Sequence, residues 1–303
     1  MPNMGDGILC ASSTAQRIAP YARAAYGAIA SPWWRFDALR FPLTCLLISC
    51  FALADAKAVC TSQNISVNNT ERRMIVCANQ ETIPASGAPL VLAFHGRGSS
   101  AKEMADGTRL HDAWPEAIVV YPEGLSGNPA PYDPQGARRG WQLNPDELKD
   151  RDLRFTDAML DTLNGQYKID PSRVYATGHS NGARFAGVLW ATRAARFAAF
   201  AFSAGQADTL IERATPRPVF LSMGRRDDII PFESQWPSIE YARKLLNTDP
   251  AHASEFGFTR SESGPGGLEL MTYVHPGGHV WPQVQTRLTV EFFKRHQLPR
   301  GGN

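Results

Sequence analysis

The stretch Val174-Tyr175-Ala176-Thr177-Gly178-His179-Ser180-Asn181-Gly182-Ala183-Arg184-Phe185-Ala186 passes from a β-branched and aromatic run, through two glycines bracketing a serine, into an alanine-rich helical pattern. As a bare Gly-x-Ser-x-Gly pentapeptide, residues 178–182 carry little weight, because glycine and serine are common residues. The setting gives the motif its meaning. A strand that reverses abruptly into a helix carries its bend residue out at the end of a sheet, where a serine hydroxyl stands clear of the fold. So tight a turn strains the serine backbone, and side chains two places to either side would collide, which accounts for both glycines.

Outward from this bend, short apolar runs rich in β-branched residues alternate with amphipathic stretches, as strands alternate with helices around a parallel sheet. The pattern predicts strands at Met74 to Cys77, Leu90 to Phe94, Ile118 to Tyr121, Val174 to Thr177, Ala198 to Phe202, Val219 to Met223 and Leu268 to Val274. Phe155, Ala158, Met159 and Leu163 fall at helical spacing, and further helices are predicted at Gly182 to Arg193 and Thr286 to Arg295. The expected class is α/β, with a mostly parallel central sheet flanked by helices on both faces. Pro122 to Asn144, crowded with glycine and proline, reads as a long loop of the kind that often serves function.

A serine hydroxyl is a poor nucleophile unless a base removes its proton and an acid orients that base. In hydrolases built on such a sheet the acid follows the serine and the histidine comes last. Here Asp227 or Asp228 follows the predicted strand 219–223, and His275 or His279 follows the strand 268–274. All four lie in loops after strands, at the end of the sheet where such sites assemble.

His95-Gly96, Tyr121-Pro122-Glu123-Gly124, Gly178-His179-Ser180-Asn181-Gly182-Ala183, Asp227 through Ile230-Pro231-Phe232, and Gly277-Gly278-His279-Val280-Trp281-Pro282 stand in this order along the chain. Together they resemble the polyhydroxybutyrate depolymerase and feruloyl esterase family of secreted esterases, which has the α/β-hydrolase fold. The resemblance implies Ser180 as nucleophile, Asp227 rather than Asp228 as acid, and His279 rather than His275 as base. It implies an oxyanion hole formed by the backbone N–H groups of Asn181 and Arg97. Depolymerases of the group often have cysteine where Arg97 stands, a departure that spares the backbone donor and changes the chemistry around it. Two-step acyl transfer by this trio needs no cofactor.

The composition of the 303 residues, 43% hydrophobic and 20% charged, is that of a globular protein. The 31 basic and 29 acidic residues are scattered and leave a net charge of +2, with no basic face to grip a phosphate backbone, so nucleic acid is not an expected partner. No protein partner can be inferred. Phe41 to Ala54 is an apolar run behind Arg35 and Arg40, followed by small residues at Ala54, Ala56 and Ala58, which is a signal-peptide layout. A stable membrane span would need about 20 apolar residues. The expected organisation is a leader over 1–58 and a single catalytic domain over 59–303, exported to the periplasm or medium. A lipoprotein anchored through Cys50 is the alternative. Of the five cysteines, Cys60 and Cys77 alone follow the leader, and in an oxidising compartment they are expected to pair.

His275 and His279 do not form a metal pair in this reading, because Pro276-Gly277-Gly278 between them is a turn and not a helix that would align two ligands. His95, Trp141 and Trp281 are candidate substrate contacts, with Tyr132 and Trp236 as further aromatics for the cleft wall. His95 is expected to brace its own loop rather than to titrate in catalysis, because a nucleophile needs only one base, and each of the aromatics is equally suited to anchoring its loop on the domain. Two rival functions are a serine peptidase of the same fold and a non-catalytic binding module on a hydrolase scaffold.

Overall fold

The computed structural model describes residues 57–207, 209–212 and 214–299, which fall within one compact unit. The predicted leader segment 41–54 and Cys50 lie outside the described residues. Ten strands form one sheet: β1 (Val59–Val67), β2 (Thr70–Ala78), β3 (Ala88–Phe94), β4 (Ile118–Pro122), β5 (Ile169–His179), β6 (Ala199–Ser203), β7 (Val219–Gly224), β8 (Ser254–Phe256), β9 (Thr259–Ser263) and β10 (Glu269–His275). Their spatial order is β1-β2-β4-β3-β5-β6-β7-β10-β9-β8. The run from β4 to β10 is parallel throughout, and both edges are antiparallel. All seven strands read from the sequence are present.

Side chains alternate across the sheet, and this alternation builds a separate core on each face. Leu90, Leu92 and Phe94 of β3 point to one face with Phe200, Phe202, Leu221 and Met223. Helices α3 (Arg151–Gln166), α4 (Asn181–Arg193) and α6 (Pro237–Leu246) cover that face through Phe155, Met159, Phe185, Trp190 and Ile239. Val91 and Ala93 point the other way with Tyr175 and Phe220, beneath α1 (Ala101–Thr108), the single turn α2 (Leu110–Ala113) and α7 (Gln283–Lys294). The helix α5 (Phe232–Gln235) is a turn between β7 and α6. Helices on both faces agree with the expectation. Among the described residues no helix is long and apolar enough to cross a membrane.

Cys60 and Cys77 stand opposite each other on β1 and β2 and are joined by a disulfide, as expected. Closing a loop of that size contributes roughly 3 kcal/mol on the chain-entropy account. The loop after β4 is anchored in the interior by an ion pair: Arg72 of β2 meets Asp152 at 2.9 Å, both side chains being buried, and Asp152 also accepts the Gln142 N–H at 2.9 Å. This pair ties the start of α3 to β2 and to the end of the long loop.

The β5–α4 bend is the tightest point of the fold. Ser180 has φ 55° and ψ −120°, a conformation costly for a residue with a side chain. A Cβ on Gly182 would lie 2.2 Å from the Phe94 carbonyl oxygen and 2.6 Å from that of His95; one on Gly178 would lie 2.3 Å from the Gly182 backbone. The obstacles are backbone atoms, so no side chain can swing away to make room. The Ser180 N–H donates to the Ser203 carbonyl at 2.8 Å, which fastens the bend to the end of β6. Gly182→Ala is expected to destabilise the protein by about 2 kcal/mol or more, the usual scale for forcing an extra methyl into a packed site, as read by denaturant unfolding.

Candidate active site

β7 and β10 run side by side, with Gly224 paired to His275 where both strands end. The loops beyond them are pressed together: a Cβ on Gly224 would meet the carbonyl oxygens of Gly278 and Gly277 at 2.4 and 2.6 Å, and the Arg226 N–H donates to the Gly277 carbonyl at 3.0 Å. This contact delivers Asp227 to His279. The His279 Nδ1–H donates to Asp227 Oδ2 at 2.9 Å, with Oδ1 at 3.1 Å. Asp227 Oδ1 further accepts the N–H groups of Ile229 (3.0 Å) and Ile230 (2.8 Å), and Oδ2 accepts Gln235 Nε2 at 3.0 Å. Fully buried and held by donors on both oxygens, the carboxylate cannot rotate away from the imidazole.

Neighbouring alternatives separate cleanly. Asp228 is exposed and has no hydrogen-bond or ion-pair partner among the described residues. His275 is buried, its Nδ1 accepting the Gly277 N–H at 3.1 Å, and among the described residues it has no hydrogen bond or ion pair to a carboxylate. His279 also turns its other edge to a cleft of about 240 Å³, whose wall includes Ser180, His179, Gly96, Met104 and Trp281. A second lobe of about 380 Å³ shares Ser180 and is walled by Tyr132, Leu143, Asn181, Arg184 and Ile230. Ser180 therefore stands on the ridge between two lobes. No hydrogen bond joins its hydroxyl to His279 in this structure. A larger cavity of about 550 Å³ lies behind Arg97, walled by Arg138 and Arg139, and includes neither Ser180 nor His279.

The oxyanion candidates flank the serine. Asn181 opens α4, so its N–H has no acceptor within the helix. The Arg97 N–H likewise donates to no group of the described residues. Gly96 brings that loop close, since a Cβ there would lie 3.4 Å from Ser180 Cβ. The Asn181 side chain clamps the opposite loop at two points, with Oδ1 accepting the Trp141 N–H at 2.8 Å and Nδ2 donating to the Trp141 carbonyl at 3.2 Å. The Arg97 guanidinium turns inward, donating to the Asn128 carbonyl and lying 3.7 Å from Asp133.

Two expected substrate contacts are corrected by burial. His95 and Trp141 are both wholly buried and line neither lobe. His95 Nδ1–H donates to the Gly96 carbonyl at 2.7 Å, and Nε2 accepts the Gly124 N–H at 2.9 Å. Burial lowers its pKa, and a ring that must accept at Nε2 has to be neutral. Trp141 stacks on Phe185 and donates its indole N–H to the His95 carbonyl at 2.9 Å. Both residues brace the loop that carries Arg97 and the long loop that the Asn181 side chain clamps. Trp281 does reach the 240 Å³ lobe, with its indole N–H donating to Thr286 Oγ1 at 3.0 Å. Tyr132 lies on the other lobe, whereas Trp236 faces a separate cavity near β9.

Sequence reasoning gave no role to Gln235 or His179. Gln235 is invisible as a pattern, because it reaches Asp227 only through the α5 turn. His179 sits inside the pentapeptide, and its ring lies 4.8 Å from that of His279. Among the described residues the one group with metal-ligand spacing is Cys60, Cys77 and His111, whose sulfurs are already bonded to each other.

No family model matches the chain. NocK of Nocardia uniformis subsp. tsuyamanensis, classed with the esterases, is 30% identical over 271 residues, covering 75% of this chain and 75% of its own length. The poly(3-hydroxyalkanoate) depolymerase C of Paucimonas lemoignei is 36% identical over 130 residues, covering 41% of this chain and 29% of the longer enzyme. Among solved structures, the acetyl xylan esterase from Aspergillus awamori superposes with a TM-score of 0.61 at 15% identity, over 78% of this chain and 99% of that one, a likeness of fold. Parallel sheet, sharp serine bend and similarity to NocK agree, and the chain belongs to the polyhydroxybutyrate depolymerase and feruloyl esterase family of α/β-hydrolases, as a carboxylic ester hydrolase.

Proposed function

We propose that the enzyme hydrolyses esters through an acyl-enzyme on Ser180, with His279 as general base and Asp227 as its orienting acid. The observation that carries this reading is the Nδ1–Asp227 contact at 2.9 Å on a histidine that shares its cleft with the strained serine. Asp227 fixes the Nδ1–H tautomer, which leaves the Nε2 lone pair to take the serine proton. Ser180 Oγ then bonds to the ester carbon, and the carbonyl oxygen becomes an oxyanion between the N–H groups of Asn181 and Arg97. As the tetrahedral centre collapses, the carbon–oxygen bond to the alcohol breaks and the proton on Nε2 passes to that departing oxygen. Water repeats the sequence on the acyl-enzyme: His279 takes its proton, hydroxide adds to the acyl carbon, and the acid leaves with Ser180 restored.

The enzyme is also proposed to act outside the cytoplasm. A signal-peptide layout at 41–54 and a disulfide between Cys60 and Cys77 both suit an oxidising compartment. Relatives are named for acetylated xylan, feruloyl and hydroxyalkanoate esters, so p-nitrophenyl esters, methyl ferulate and 3-hydroxybutyrate oligomers form the first panel of substrates.

Wild type is expected to react with a fluorophosphonate probe and Ser180→Ala is not; an unlabelled wild type would favour the binding-module alternative. Asp227→Asn is expected to lower kcat on p-nitrophenyl acetate by about a thousandfold or more, whereas Asp228→Asn stays within about twofold of wild type. Equal losses in the two variants would reject the assigned acid. On export, N-terminal sequencing of the released protein is expected to find a start at Lys57 or Val59, after small residues at 56 or 58. Retention of the intact chain inside the cell would overturn the compartment.

A further inference from the structure

Ser203 at the end of β6, Ser222 on β7 and Gln285 on α7 form a buried chain of hydrogen bonds beneath the cleft. Gln285 Oε1 accepts from Ser222 Oγ at 2.7 Å and from Ser203 Oγ at 3.3 Å. Ser203, having given its proton to Gln285, can only accept from His179 Nδ1, which lies 3.2 Å away. The His179 proton is therefore on Nδ1 and the lone pair on Nε2. The ring is also held neutral: burial, then the neighbouring His279, push its pKa down to about 4, against the pull of Asp227. Nε2 has no partner among the described residues and is not among their sealed-off polar atoms, and His179 lines the 240 Å³ lobe. The cleft thus holds a fixed acceptor beside the proposed base.

Which half of the ester meets this acceptor follows from the direction of proton transfer. The proton taken from the serine is delivered to the departing alcohol oxygen, so the alcohol half must lie on the His279 side of Ser180. Of the two lobes that share Ser180, His279 lines the 240 Å³ one and not the other. Glu103, whose Oε2 already accepts Ser99 Oγ at 2.8 Å, adds a second acceptor group to that lobe, and Trp281 adds an aromatic wall. Acceptors beside an aromatic face suit hydroxyl groups carried on a carbon skeleton. A bare alkyl alcohol would strip water from Nε2 and offer it no donor.

We propose that His179 is a specificity-determining residue whose Nε2 accepts a hydrogen bond from a second hydroxyl on the alcohol half, so that the enzyme favours esters of polyhydroxylated alcohols. This rests on the assignment of Ser180 and His279 made above.

The test compares 2-hydroxyethyl acetate with 2-methoxyethyl acetate, an otherwise similar pair in which the second ester has lost its donor, by pH-stat release of acetic acid. Wild type is expected to favour the hydroxyl ester by about tenfold in kcat/KM, the scale of one neutral hydrogen bond. His179→Leu is expected to bring the ratio near one. Ser203→Ala, a buried change outside the cleft, frees the imidazole to carry its proton on Nε2 and is expected to lower the ratio severalfold. Fluorophosphonate labelling reports whether each variant keeps a folded, reactive serine. A wild-type ratio near one overturns the inference, as does an unchanged ratio in labelled His179→Leu. Should that variant fail to label, an unchanged ratio in Ser203→Ala overturns it instead. A wild type that neither labels nor hydrolyses either ester refutes the Ser180 assignment, whereas a labelled, active wild type with no preference refutes only the role of His179.

Discussion

The contact on which the molecule depends is the approach of Gly182 to the carbonyl oxygens of Phe94 and His95, so close that a single methyl group could not be inserted. It brings the end of β3, the bend after β5 and the first turn of α4 into one cluster. Ser180 is held in a backbone conformation that a free chain would avoid, and the loop after β3 comes close to it at Gly96. Strain at one residue is sustained by the packing of two strands and a helix around it.

A second contact of the same kind governs the other half of the site. Gly224 presses on Gly277 and Gly278, and this backbone-to-backbone packing sets Asp227 against His279. The interior network of Asn181, Trp141 and His95 then joins the long loop after β4 to the end of β3 and the start of α4. Arg97 extends the arrangement by sending its guanidinium into that loop, to the Asn128 carbonyl and Asp133. Asn181, His95 and Arg97 each reach into the long loop after β4, at Trp141, Gly124 and Asn128.

Much of the fold was legible because the parallel strands are buried on both faces and therefore read as continuous apolar runs. β1 and β8 are edge strands with exposed residues such as Thr61, Ser62, Ser254 and Glu255, and β9, between β8 and β10, consists of Thr259, Arg260, Ser261, Glu262 and Ser263, so none of the three carries an apolar pattern. Helix α1 had a readable signal in Ser100 and Glu103, whose N–H bonds Ser100 Oγ, with Ala101, Met104 and Ala105 on the buried side. Helix α6 had one in Pro237 at its start and Ile239, Ala242 and Leu246 on one face. Aromatic residues were the least legible part: Trp141 and Trp281 look alike in sequence, yet one is sealed beneath the loops and the other stands in the cleft.

By itself the sequence determined what depends on near neighbours. It set the strand, bend and helix around Ser180, the need for glycine on either side, and the order in which acid and histidine follow, since these arise from backbone sterics and local periodicity. Only the tertiary structure decided which of two adjacent aspartates faces His279, that His95 and Trp141 turn inward, and that His179 offers a lone pair to the cleft. Those outcomes rest on contacts between segments far apart in the chain, and such distances are set by strand register and by loop packing, which no local pattern encodes.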